Sequence, residues 1–418
     1  MRSRSGVDGC GRVVRQRTVL LGGLAVVFAL VAAACTAPPV DPSTIVPVLP
    51  VVRIDTGGTP ILDKENYVPA SVEIDPNGSA FAAYSGTTGI RGRGNSTWEY
   101  PKKPYRLKLD AASPIMGMAS ERDWVLLANH LDRSQLRTVV AAEASRATEL
   151  PYTPTLRHVE LYLNGSYEGV YLLTQHTEVG PDRIDITKMK ATDNAGAALS
   201  GGYLLEIDFR LESEGEPGFR TTARVPVVVK DPDMTSEQRT YIHDRVQAFE
   251  DALLGPSFTD PTIGYRAYLD VDSFIDHYLV QELTQNQDVF HASTYFTKDR
   301  DDDLFRFGPI WDFDRSIGTD GGVPRPAEGW WARTIGPWAP RLFEDPAFVD
   351  QVEARWQELA PAFSAIVDSI PARAAALEPA VRNDAARWSY TTSAHNQTTY
   401  IVDWLRTRIA WLDQQYGG

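Results

Sequence analysis

The sequence predicts an α+β fold in two lobes, with strands crowding the first half and helices filling the second. Three observations predict it. Short runs with every second residue apolar recur before residue 230, whereas capped stretches with apolar residues three and four apart follow. Beyond an apolar leader and a proline-rich stretch, about 365 residues remain, long for one lobe and suited to two that share a cleft. The expected boundaries are about 53–230 for the first lobe and about 231–418 for the second.

Residues 1–35 are set aside first. Arg2, Arg4, Arg12, Arg15 and Arg17 precede the apolar stretch "TVLLGGLAVVFALVAAAC", the layout of a signal peptide. The small residues before Cys35 are those of a bacterial lipoprotein cleavage box, although Ala32 stands where such boxes usually carry leucine. Cys35 is therefore expected to carry lipid and to anchor an extracytoplasmic protein to the membrane; plain secretion is the alternative. Removing residues 1–34 takes away five arginines and one aspartate, so the formal charge falls from -14 to -18. So acidic a chain lacks the basic footprint of a general nucleic-acid binder. The other cysteine, Cys10, lies inside the leader, which excludes a disulfide in the exported part.

"TAPPVDPSTIVPVLPVV" (36–52) has no helical period and reads as an extended tether. In "PYRLKLD" (104–110), Tyr105, Leu107 and Leu109 fall on one strand face and Arg106 and Lys108 on the other. "DRSQLRTVVAAEASRATEL" (132–150) is helical, with Asp132 as candidate cap and Pro151 beyond its end. "HVELYLNGSYEGVYLLTQHTEV" (158–179) is a hairpin turning at Asn164-Gly165. "GGYLLEIDF" (201–209) is a further strand. The helices 235–255, opened by a capping box, and 270–286 follow. A short hairpin with the acidic tip Asp299–Asp303 comes next, then two amphipathic helices over 346–380 and 395–416. A strand-rich lobe with one inserted helix, joined to a helical lobe, is the layout of a protein kinase, which by itself licenses no kinase chemistry.

The run "FGPIWDFDRS" (307–316) places Asp312 and Asp314 among apolar residues. A charge there costs several kcal/mol unless something pairs with it. A bound cation, an arginine, a helix cap and plain exposure are the candidates. The stretch "QELTQNQDVFHAS" ends a helix with Asn286 and Asp288, and Asp312 follows Asp288 by 24 residues. Phosphoryl transfer asks for such parts: a carboxylate to orient the attacking hydroxyl and hard oxygens to hold magnesium. The seven histidines show no H-E-x-x-H spacing and no G-x-S-x-G elbow occurs, which argues against a zinc hydrolase or a serine hydrolase.

The stretches "IRGRGNSTWEYPKKPYRLKLD", "DWVLLANHLDRSQLR", "VELYLNGSYEGVYLLTQHTEV", "GGYLLEID", "DSFIDHYLVQELTQNQD" and "FGPIWDFD" together resemble the CotH kinase family of secreted or spore-coat atypical kinases. The resemblance spans about residues 88–318 and implies a two-lobed, atypical protein-kinase-like fold using ATP with Mg²⁺ or Mn²⁺. It implies a protein substrate with a Ser or Thr acceptor. It gives Asp288 the catalytic role and Asp312 the metal, with Asn286 or Asp314 completing the shell. Asp314 has a competing role as ion-pair partner of Arg315. Arg91 and Arg93 are candidates to face the phosphates. Lys108 is the expected phosphate-binding lysine, paired with Glu143, and Arg106 is its rival; Lys102 and Lys103 read as solvated. "RGRGNSTW" lacks the spacing of a kinase glycine loop, as the resemblance leads one to expect. The alternative reading is a non-catalytic surface module, adhesin or envelope structural protein, since ATP is scarce outside the cell. Metal-dependent phosphoester chemistry on a cell-wall substrate is a third.

Overall fold

The computed structural model describes residues 45–230, 233–390 and 394–417. Cys35 and the start of the tether lie outside the described residues.

Seven strands close into a barrel: β1 (Val51–Asp55), β2 (Val68–Asp75), β3 (Tyr84–Gly92), β4 (Tyr105–Ile115), β5 (Met118–Leu127), β6 (Arg157–Leu163) and β7 (Ser166–Gln175). The order is β1-β2-β3-β4-β5-β7-β6, and β6 closes it by pairing parallel to β1. The alternation expected in β4 holds, with Tyr105, Leu107 and Leu109 buried and Lys108 exposed. Between β6 and β7, Asn164 (φ 50°) and Gly165 (φ 79°) both take the positive φ that a two-residue hairpin turn needs. Val51 and Val52, assigned to the tether by composition, are instead fully buried residues of β1. Glu160 on β6 accepts hydrogen bonds from the Val48 and Leu49 amides at 2.6 and 3.0 Å, so the segment before the strand is already docked. Pro50 has no N–H to give a ladder, and prolines at a strand's start mask the strand in a composition reading.

A second sheet holds β8 (Tyr203–Ile207), β9 (Gly218–Arg220), β10 (Pro226–Val229), β11 (Thr294–Lys298) and β12 (Phe305–Phe307), in the order β12-β11-β8-β10-β9. The late hairpin β11–β12 is therefore not free-standing. It pairs antiparallel with β8, Phe296 opposite Leu205, and the sheet crosses the boundary expected near residue 230. Pairing between strands almost a hundred residues apart leaves no local trace in either one.

Five helices of ten residues or more complete the described chain: α1 (Arg137–Arg146), α2 (Ser236–Leu254), α3 (Val271–Thr284), α4 (Pro346–Trp388) and α5 (Ala394–Tyr416). Thr235 caps α2 in a full capping box with Gln238. Asp132 does not cap α1, which starts five residues later. Its carboxylate accepts from the Ser134 and Arg137 amides, at 3.1 and 2.8 Å, and holds the turn that leads in. One apolar core fills the barrel, around Leu107, Trp124 and Tyr171. Another joins the second sheet to the helices, around Phe249, Phe274, Phe296 and Trp356. Among the described residues no helix is long and apolar enough to cross a membrane.

Lys102, expected to be solvated, is 0% exposed and sits 2.6 Å from Asp384 on α4, itself 1% exposed. The same carboxylate oxygen accepts from the Val170 amide at 2.9 Å, which ties β7 to α4. Gly169 (φ 99°) is required beside it, because a Cβ there would collide with the Asp384 carboxylate.

Candidate active site

A cavity of about 470 Å³ draws its walls from the edge of the barrel, the second sheet and the loops that follow α3 and β12. Asp288, Asp312 and Asp314 line it, with Arg93, Lys230 and Arg315 as nearby cations.

Each acid is delivered by a local backbone device. After α3, Gln285 turns left-handed (φ 45°) and the Asn286 side-chain oxygen accepts the Asp288 amide at 3.2 Å. Asn286 is 1% exposed and does not line the cavity, so the expected metal ligand is a support for the Asp288 loop. Burial pushes the Asp288 carboxyl up to about 6; Asp312 adds to the rise, and Arg315, 3.7 Å away, opposes it. Asp312 takes a positive φ of 63°, unusual for a residue other than glycine, and lines the cavity beside Trp311, while Phe313 is fully buried. Burial raises Asp312, with Arg93 the leading opposing charge. Asp314, 8% exposed, is held well above the usual carboxylate range by burial and then by Asp312, Asp132 and Asp288.

Neither Asp312 nor Asp314 has an ion-pair partner within 4.0 Å among the described residues. The alternative pairing of Asp314 with Arg315 does not form, because Arg315 turns instead to Asp320 and Asp288. Asp314 is thus neither exposed nor paired with an arginine among the described residues, and burial favours its neutral form when no cation is bound.

The cations divide differently from expectation. Arg93 lines the cavity, its guanidinium 5.5 Å from the centre of the Trp311 ring. Arg91 does not join it; it stacks on Tyr67 at 4.9 Å and donates to the Lys64 carbonyl. Arg106 is held by Asp123 through two N–H groups, at 3.1 and 2.7 Å, and is not among the lining residues. Lys108 lies exposed on the barrel's outer face, and Glu143 pairs with Arg373 of α4. The expected Lys108–Glu143 pair is thus absent, since α1 packs on α3 and α4 and not on β4. The lysine–glutamate pair that does line the cavity is Lys230–Glu206, at 2.9 Å.

The CotH kinase protein family matches this chain over residues 90–412, a span that contains every residue lining the cavity. The chain belongs to the CotH kinase family. Comparison with curated proteins finds no match. Membership points to kinase-type chemistry, and the acids that this CotH-family chain brings together suit it.

Sequence reasoning missed Glu206, Asp208 and Lys230. The signal was present: "GGYLLEID" puts Glu206 in a strand whose every residue is buried and the buried Asp208 directly after it, the same anomaly as "WDFD". No group of three or more His, Cys, Asp or Glu side chains among the described residues is placed to hold a metal unaided. Magnesium ordinarily takes one or two carboxylates and fills its other positions with water and substrate phosphate. Asp312 and Asp314, which line one cavity and have no ion-pair partner among the described residues, would fit that mode.

Proposed function

We propose that this chain is an atypical protein kinase that transfers the γ-phosphoryl group of ATP to a Ser or Thr hydroxyl of a protein, with Mg²⁺ or Mn²⁺. The observation that carries the reading is the pair of cavity acids, Asp312 and Asp314, which have no ion-pair partner among the described residues and share the cavity with Arg93 and Asp288. Asp312, together with Asp314, would hold the divalent cation, which would neutralise charge on the phosphates during transfer. Arg93 and Lys230 supply fixed positive charge to the same space, Lys230 steadied by Glu206. Asp288 receives the proton of the attacking hydroxyl. Raised to about 6, it is ionised at neutral pH yet more basic than an ordinary aspartate, as a general base should be.

Transfer of label from γ-labelled ATP to a protein acceptor, dependent on Mg²⁺ or Mn²⁺, tests the reaction. Asp312→Asn is expected to abolish metal-dependent ATP binding in a chain that remains folded by circular dichroism. Unchanged magnesium-ATP affinity by calorimetry would remove Asp312 from the metal site.

The proposed setting is outside the cytoplasm, with acylated Cys35 as the anchor. Two or more acyl chains, each contributing roughly 0.8 kcal/mol per buried CH₂, hold a protein stably at a bilayer. Mass spectrometry is expected to find the mature N-terminus at Cys35 with lipid attached. An unmodified N-terminus elsewhere refutes the anchor.

A further inference from the structure

A second cavity, of about 540 Å³, opens between α1, the start of β6 and α4, lined by different residues from the first. Arg146, Arg157 and Arg373 line it, against a single carboxylate, Glu143. In a chain of net charge -14, this is a local reversal of sign. His158, also in the wall, adds no charge: burial pulls its ring below the ordinary value, and its Nε2 lies 2.8 Å from the Gln135 carbonyl.

The three guanidiniums are held in place, and among the described residues only Arg373 has a carboxylate partner. Arg146 donates to the Pro154 carbonyl at 2.6 Å and Arg157 to the Met116 carbonyl at 3.3 Å. Arg373 donates to Ser369 at 3.0 Å and pairs with Glu143. A guanidinium has five N–H donors, and these contacts use a minority of the fifteen. Burial pulls Arg146 below its ordinary value; Glu143 opposes this, and Arg157 and Arg373 add to it. Three arginines around one carboxylate leave positive charge that an anion would relieve, and the planar fork of arginine matches phosphate oxygens in particular.

We propose that this cavity is an anion-binding site for a phosphate dianion, either free or carried on a phosphorylated side chain. The site does not depend on the catalytic reading, since it shares no lining residue with the first cavity.

Inorganic phosphate is titrated by calorimetry into the whole chain and into Arg146→Gln, Arg373→Gln and Glu143→Gln. Each arginine variant is expected to weaken phosphate binding by about tenfold or more, the loss of a charge-assisted hydrogen bond. Glu143→Gln should strengthen it, because the competing carboxylate is gone. If the arginine variants fail to fold, Glu143→Gln decides alone. A phosphoserine peptide and its unphosphorylated counterpart separate the two sources. Tighter binding of the phosphopeptide, lost in the same variants, marks a protein-borne phosphate; equal or weaker binding marks the free ion. Phosphate binding that ignores the arginine variants, or that Glu143→Gln weakens, overturns the proposal, as does binding abolished only by Arg93→Ala in the first cavity.

Discussion

Asp288→Asn is expected to lower turnover by about 10² to 10⁴ while leaving ATP affinity within a few-fold, the span of general-base assistance. The amide keeps the shape of the acid and cannot accept the hydroxyl proton. Stability supplies a second readout of opposite sign. Asp288 is raised from an ordinary 3.8 to about 6 by burial and by Asp312. A carboxyl raised on folding stabilises the native state below the unfolded value, and that contribution is lost as pH rises through the folded one. In the metal-free protein Asp288 therefore works against folding above pH 6, by about 3 kcal/mol. Asp288→Asn should raise the urea midpoint at pH 7.5 without divalent cations and leave it little changed at pH 4. A variant with wild-type turnover moves the base elsewhere. One that is slow but destabilised at pH 7.5 would show that Asp288 serves the fold.

Asp384→Ala is expected to cost about 3–5 kcal/mol of stability, the usual result of removing one partner from a buried ion pair. The Lys102 ammonium is 0% exposed, and with Asp384 gone it keeps only neutral partners, the Val170 carbonyl at 2.5 Å and the Tyr171 ring at 5.0 Å. The Val170 amide loses its acceptor as well. The penalty belongs mostly to the stranded charge, so Lys102→Met with Asp384→Leu should recover part of the loss. Urea unfolding of the two single variants and the double variant measures the coupling directly. Asp384→Ala within about 1 kcal/mol of the parent would mean that water reaches Lys102 in solution.

The acids of the candidate site were legible because their anomaly is local. Asp312 and Asp314 stand out in "WDFD" whatever the rest of the chain does, and Asp288 stands at a helix end that the periodicity of α3 marks. The cationic half of the site was not legible in the same way. Arg91 and Arg93 look alike in "RGRG", yet β3 ends at Gly92, so that Arg91 stays on a strand facing Tyr67 while Arg93 enters the cavity. Lys108 and Glu143 were matched by analogy with a strand lysine and a helix glutamate. The alternation of β4 points Lys108 to solvent, opposite the buried Leu107 and Leu109, and α1 brings Glu143 to Arg373.

By itself the sequence determined what depends on neighbours a few residues away: the alternation of β4, the Asn164-Gly165 turn, the capping box of α2 and the misplaced charge of Asp312. These follow from backbone sterics, hydrogen bonding and side-chain periodicity, which act within one or two turns of chain. Only the tertiary structure decided that β11 joins β8, that Lys230 meets Glu206, and that Lys102 is buried against Asp384, 282 residues away. Such pairings are chosen by the packing of whole elements. A lysine on a solvated turn and a lysine in a buried ion pair carry the same letter, and only the surface that closes over it tells them apart.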